Sequence, residues 1–194
     1  MPITNSQNAS QPNSDEIPIS ITVPSGSYKK KEAEFTYTST KKEYKTFPIS
    51  PAISNGVCRC EMKLIKKGDK HVGVMKSGLN VPFDKFPGHE PYKLILLSLS
   101  SGDVGQFSQY TEGNQQMKDG DLVSIEVNMD AKPRTAHLFI NGHQQPVFVS
   151  GLPESIQFWF FLNWKDDQIT VLSLKKLTSS SVAQIPNEKE VKWG

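Results

Sequence analysis

Thr135-Ala136-His137-Leu138-Phe139-Ile140-Asn141-Gly142-His143-Gln144-Gln145-Pro146-Val147-Phe148-Val149 is the stretch from which the rest of the chain can be read. Asn-Gly tolerates the two successive positive φ angles of a type I′ turn, so Ala136–Ile140 is expected to fold back onto Gln144–Val149 as a hairpin. The same pattern continues outward. Downstream, Gly151-Leu152-Pro153 turns, and Ile156–Asn163 and Gln168–Leu174 form a last hairpin across Trp164–Asp167. Upstream, Asp119-Gly120-Asp121 opens an alternating strand, Leu122–Met129, preceded by a candidate strand at Val104–Tyr110. Earlier still, Val57–Ile65 alternates, Lys66-Lys67-Gly68-Asp69 turns, and His71–Met75 follows. Ile17–Val23 alternates and reads as a first short strand; Phe35–Thr40 and Tyr44–Ile49 are weaker candidates, with Pro48 and Pro51 framing a break. No segment keeps helical periodicity through three turns. Short strands punctuated by turn signals imply an all-β sandwich or barrel. Tyr92–Leu99 and Ile156–Leu162 are nearly apolar throughout, which predicts interior strands covered on both faces.

Hydrophobic residues make up 36% of the 194 residues, and they are unevenly spread. Residues 1–16 and 178–190 are almost devoid of them. The expected organisation is a disordered N-terminal tail (1–16), one folded domain (17–177) and a polar C-terminal tail (178–194). A net charge of +2 is too balanced for a nucleic-acid-binding surface, where a basic stripe is expected. The basic run Lys29-Lys30-Lys31 is offset by Glu32 and Glu34 and reads as a solvated strand or loop. Cys58 and Cys60 share one face of a strand at the outer limit of disulfide reach, and no second ligand pair completes a zinc site. They read as reduced thiols, which with no secretory leader predicts a cytoplasmic protein. The longest apolar run, Phe158–Leu162, has five residues, so no membrane span is expected.

With the strands placed, the order of motifs resembles the SPRY domain: Val57–Ile65, then Val72-Gly73-Val74, Gly102, Gly120-Asp121 opening a strand, Leu138-Phe139-Ile140-Asn141-Gly142, Leu152-Pro153, and the Phe158–Trp164 strand. The likeness runs from about Ile53 to Leu177 and is strongest to SPRY-like modules of signalling proteins in unicellular eukaryotes. It implies a two-sheet antiparallel β-sandwich of the concanavalin A-like jelly-roll kind, without cofactor or catalysis. It also implies binding of another protein or a short peptide through loops at one end, as a monomeric module in signalling or ubiquitination. Residues after Leu177 are too few for a RING or SOCS-box segment, so any ubiquitin link would act through a partner. By analogy with SPRY proteins that carry a SOCS box, the ligand would meet Gly68 and Asp69, Tyr92, and Asn163 and Trp164. Asp69 stands where that group has Thr, and Asn163 where it has Val, so the ligand need not be the same.

The residue types support a binding surface independently. Trp164 sits in a hairpin loop beside Lys165, Asp166 and Asp167, poorly placed for a core unless it folds back as a lid. Exposed Trp and Tyr supply large contact area at low entropic cost and dominate binding hot spots. Tyr92 opens a core strand, which gives it a packing role as the competing reading. Trp159 lies mid-strand and is expected in the core. Asp166 and Asp167 could receive a basic ligand group, or serve only the turn. The loop Ser77–Pro91 is long enough to be functional and carries Phe83, Phe86 and His89, which either meet a partner or pack on the sandwich.

Catalysis is the weaker reading. Glu126-Val127-Asn128-Met129-Asp130 has the i, i+2, i+4 spacing of sugar-cleaving jelly rolls, but the middle acid is Asn. The segment is expected to be the polar outer face of an edge or half-exposed strand. The four histidines are scattered, and neither a nucleophile elbow nor a phosphate-binding Gly-rich loop is present. A carbohydrate-binding lectin-like sandwich is the alternative function.

Overall fold

A computed structural model describes residues 14–66, 68, 71–87, 92, 94–98, 101–106 and 109–194. In chain order the strands are β1 (Ser14–Glu16), β2 (Tyr28–Lys31), β3 (Thr36–Ser39), β4 (Lys45–Ile53), β5 (Val57–Lys66), β6 (His71–Lys76), β7 (Leu94–Ser98), β8 (Val104–Gln106), β9 (Gln109–Thr111), β10 (Leu122–Asn128), β11 (Thr135–Ile140), β12 (His143–Ser150), β13 (Ile156–Leu162), β14 (Gln168–Leu177) and β15 (Lys189–Lys192). Helical structure among the described residues is one 3-10 turn, Glu32–Glu34.

The strands form two sheets. The larger has the order β15-β12-β11-β10-β5-β14-β3-β2, with β1 on β14; the smaller has the order β4-β13-β6-β7-β8-β9. All ladders are antiparallel except β12 with β15. The hairpin behaves as its sequence dictates: Asn141 and Gly142 take φ of 50° and 81°, and Ile140 pairs with His143. Between the sheets lies the main core, to which β10 gives Val123, Ile125 and Val127, and β13 gives Phe158, Phe160 and Leu162. Period-two alternation sends Trp159 and Phe161 to the opposite face of β13, into a second cluster with Met75 and Val81. Tyr44, Leu79, Phe86 and Tyr92 close over that cluster. The near-continuous apolar character of β13 is thereby explained: both of its faces are covered.

Several boundaries differ from expectation. Ile17–Val23 makes no ladder beyond the bridge Ser20 to Ser50, although Ile17, Ile19, Ile21 and Val23 pack on the core in alternation. Pro18 and Pro24 lack the N–H groups a ladder needs. Pro48 and Pro51 lie inside β4 rather than at a break. β4 is the edge strand of the smaller sheet, where a proline need not donate to a neighbour. Of the 1–16 segment, Ser14–Glu16 pairs with β14, and the remainder lies outside the described residues. Residues 178–194, expected as a free polar tail, return across the larger sheet and end as its parallel edge strand β15.

Cys58 and Cys60 are free and buried. Burial pushes both thiols upward in pKa, Cys60 the further. Neither is expected to react with iodoacetamide at pH 8 in the native protein, and both should react in denaturant; mass spectrometry of the labelled chain checks this.

Candidate functional site

The expected last hairpin is not formed: β13 pairs with β4 and β6 in the smaller sheet and β14 with β5 and β3 in the larger, so the turn between them passes from one sheet to the other, and it is built around one carboxylate. Asp167 is 0% exposed. Its Oδ2 accepts the N–H groups of Asn163 (3.2 Å) and Trp164 (2.7 Å), while its own N–H donates to the Trp164 carbonyl at 3.1 Å. Asp166, at φ 69°, completes the reversal. Backbone bonds then tie the turn to neighbouring elements: Asp166 N–H to Ser39 O, Ser39 N–H to Asp167 O, and Glu43 N–H to Asn163 O. Gly68 lies directly against this carboxylate. A Cβ at that position would fall 1.6 Å from Asp167 Oδ1, so only glycine fits.

Beneath the same turn, Lys45 is fully buried, its Nζ donating to the carbonyls of Glu43 (2.7 Å) and Lys41 (3.2 Å). Burial lowers the pKa of this ammonium, with Glu43 and Asp167 opposing that shift and Lys41 reinforcing it. Glu43 is held below the usual carboxylate range, first by the Ser27 hydroxyl that donates to it. What this scaffold presents outward is Trp164, 44% exposed, with the Lys42 ammonium 4.0 Å from its ring centroid. That is cation–π distance.

The residues expected at the site therefore divide. Gly68, Asn163 and Trp164 come together around Asp167. Asn163 is buried, so its side chain belongs to the turn's interior. Asp69 lies outside the described residues. Tyr92 is not brought alongside Trp164 by the strand register. β7 runs antiparallel to β6 with Leu94 opposite Met75 and Ser98 opposite His71, and Phe161 of β13 also faces His71. Tyr92 thus precedes the end of β7 remote from the Trp164 turn, half-buried against the outer cluster. The long loop resolves toward packing: Phe83 meets Phe47 and Tyr28, and Phe86 meets Tyr44 and Phe161. His89 lies outside the described residues. Asp167 serves the turn rather than a basic ligand group. Lys42 and Lys45 were not legible as site residues, because only the pairing of β3 with β14 carries the 40–44 connection to this pole.

The Glu126–Asn128–Asp130 series is fully engaged in structure. Asn128 Oδ1 accepts the N–H groups of Asp130 and Ala131, and Asp130 Oδ1 accepts that of Gly56. Glu126 lies on a central strand, between β5 and β11, not at an edge. It is 1% exposed and ion-paired with Arg59 at 2.7 Å. Burial alone would raise the Glu126 pKa; donors from Ser181, Ser180 and Arg59 outweigh it and leave it lowered. His137, its cross-strand neighbour, is stacked on Phe148 at 4.8 Å and is lowered chiefly by burial.

Both shifts have the same sign for stability. Each group binds protons less readily folded than unfolded, so its contribution is complete above the unfolded pKa and lost as pH falls through the folded one. Stability is expected to decline first below about pH 6.5 through His137 and again below about pH 4.3 through Glu126. Urea midpoints between pH 8 and 4 should show the first step, and His137→Phe should remove it.

Among the described residues no three His, Cys, Asp or Glu side chains gather as metal ligands, and no helix is long and apolar enough to cross a membrane. No protein-family model and no curated protein matches this sequence. Solved structures do match. The SPRY domain of human HERC1 superposes with a TM-score of 0.62 at 12% identity, over 76% of this chain and 93% of that one. This chain has the SPRY fold. A second human SPRY domain agrees, with a TM-score of 0.58 at 13% identity over 84% of this chain and 99% of its own. At such identities the SPRY likeness speaks for architecture alone; the side chains at each pole of the sandwich are this protein's own.

Proposed function

We propose that this SPRY sandwich is a non-catalytic interaction module that captures a peptide or protein surface at the pole carrying Trp164. The observation that carries the reading is a large aromatic left 44% exposed on a connection whose backbone is pinned by the buried Asp167 carboxylate. A rigid, pre-positioned Trp loses little entropy on binding, and its desolvation supplies affinity. Gly68 and Asn163 shape the turn, Lys42 borders the ring, Asp69 is proposed as a flanking contact, and Tyr92 as a contact only for a ligand long enough to reach the far end of β7.

Affinity capture with quantitative mass spectrometry, comparing the native chain with Trp164→Ala, tests this. Loss of a hot-spot Trp costs about 2–4 kcal/mol, so capture of the true partner should fall about thirty-fold or more. The melting temperature should move little, since substitutions at exposed positions change stability by about 0.5 kcal/mol or less. Unchanged capture would remove this pole from the function. Tyr92→Ala, run in parallel, decides whether the ligand extends across the outer face of the smaller sheet. Binding to immobilised glycans rather than to protein would favour a lectin instead.

A further inference from the structure

The returning C-terminal segment is held in the way proteins hold peptide ligands. Residues 178–188 cross the outer face of the larger sheet from β14 to β12, past β5, β10 and β11. Four strand spacings amount to about 19 Å. Eleven residues can reach about 36 Å, so the crossing is not taut.

Three devices read the segment. Glu126 reads two consecutive serines: Oε1 accepts Ser180 Oγ at 2.7 Å and the Ser181 N–H at 3.0 Å, and Oε2 accepts Ser181 Oγ at 2.7 Å. Arg59, lying over Phe139 at 4.4 Å, holds that carboxylate and also donates to Ser181 Oγ. Gln144 reads the backbone of Ala183, its Nε2 donating to Ala183 O at 2.8 Å and its Oε1 accepting Ala183 N–H at 2.9 Å, and Nε2 also donates to Glu188 Oε1 at 3.3 Å. Finally the edge of β12 takes Lys189–Lys192 as an added parallel strand. Carboxylate for hydroxyls, amide for backbone and open edge for a strand together make a peptide-recognition site by strand addition.

The character of the contact makes it exchangeable. The half of the segment over Glu126 and Gln144 is bound through polar groups, which water replaces at small net cost. Apolar anchoring is concentrated at the far end, in Val191 and Trp193. We propose that the outer face of the larger sheet is a second peptide-binding site, for an extended segment bearing two consecutive serines, and that the chain's own Ser180–Lys192 is its resident, displaceable occupant.

The test uses the full chain carrying Ser180→Glu and Ser181→Glu, which sets two carboxylates against Glu126, with a labelled synthetic peptide of residues 178–194 as probe. Hydrogen exchange of residues 182–192 should rise in the variant, reporting release. The peptide should then bind the variant at least ten-fold more tightly than the native chain, where the tethered copy competes at an effective concentration of about 1 mM. Alanine at both serines of the peptide should weaken binding about ten-fold per lost hydroxyl donor. Adding Gln144→Ala to the protein should weaken it further. Unchanged exchange in a variant with native circular dichroism would overturn the serine lock, and release without peptide binding would overturn the site. If the double variant does not fold, Gln144→Ala alone must still raise exchange at 182–192; no rise there also overturns the proposal.

Discussion

Replacing Asp167 with alanine is expected to cost about 3–5 kcal/mol of stability, the range for removing one member of a buried charged group's interactions. Two backbone N–H groups lose their acceptor together, those of Asn163 and Trp164, in a place where water cannot take over. Lys45 stays buried with one fewer favourable charge nearby. For a domain of this size about 2–4 °C of melting temperature goes with each kcal/mol, so a fall of about 6–20 °C should appear in a thermal scan. Asp167→Asn keeps an acceptor oxygen and loses the charge, and should fall between the two. A loss under about 1 kcal/mol for the alanine variant would show that the turn does not depend on this carboxylate. The same change should release Trp164 from its fixed position, so capture would fall together with stability. Trp164→Ala separates the two effects, because it removes the contact and leaves the scaffold.

Trp159→Ala is the second large effect. The side chain is fully buried in the outer cluster with Met75, Val81 and Phe161, beneath the connection between β6 and β7. Truncating a buried Trp costs about 3–5 kcal/mol through lost transfer energy and the cavity left behind. Chemical denaturation should register that loss, and hydrogen exchange should rise over residues 77–87, whose apolar side chains pack there. Trp159→Phe tests the account from the other side. The indole N–H of Trp159 is buried without a hydrogen-bond partner among the described residues, so removing it costs less than the lost area suggests. Equal destabilisation by Phe and Ala would contradict this reading.

How much of the protein was legible beforehand follows from the range of the interactions involved. The Asn141-Gly142 turn, the alternation of β10 and the two-faced burial of β13 are local or period-two properties, written in adjacent residues. The Ile17–Val23 segment shows the limit of the same signal: its alternation correctly placed four side chains on the core, yet its prolines denied it a ladder. At the candidate site, Trp164 is recognisable from its loop position. Gly68 and the grouping of Tyr92 with Trp164 rest on the analogy with SPRY proteins that carry a SOCS box, and the β6–β7 register separates Tyr92 from Trp164 along the strand direction. Glu126 was seen as one face of a strand. That its carboxylate is covered, by a segment read as a polar tail, depended on Ser180 and Ser181 finding it more than fifty residues away in the chain.

An all-β sandwich, the positions of most of its strands, a pair of reduced thiols and an aromatic in a strand-connecting loop follow from the sequence alone. Each of these follows from side-chain period, turn chemistry or composition over a few residues. Strand order and register alone settle which turns share a pole, that Asp167 and Lys45 are buried there, and that the C-terminal segment covers Glu126 on the outer face of the larger sheet. They bring together residues that no local pattern relates.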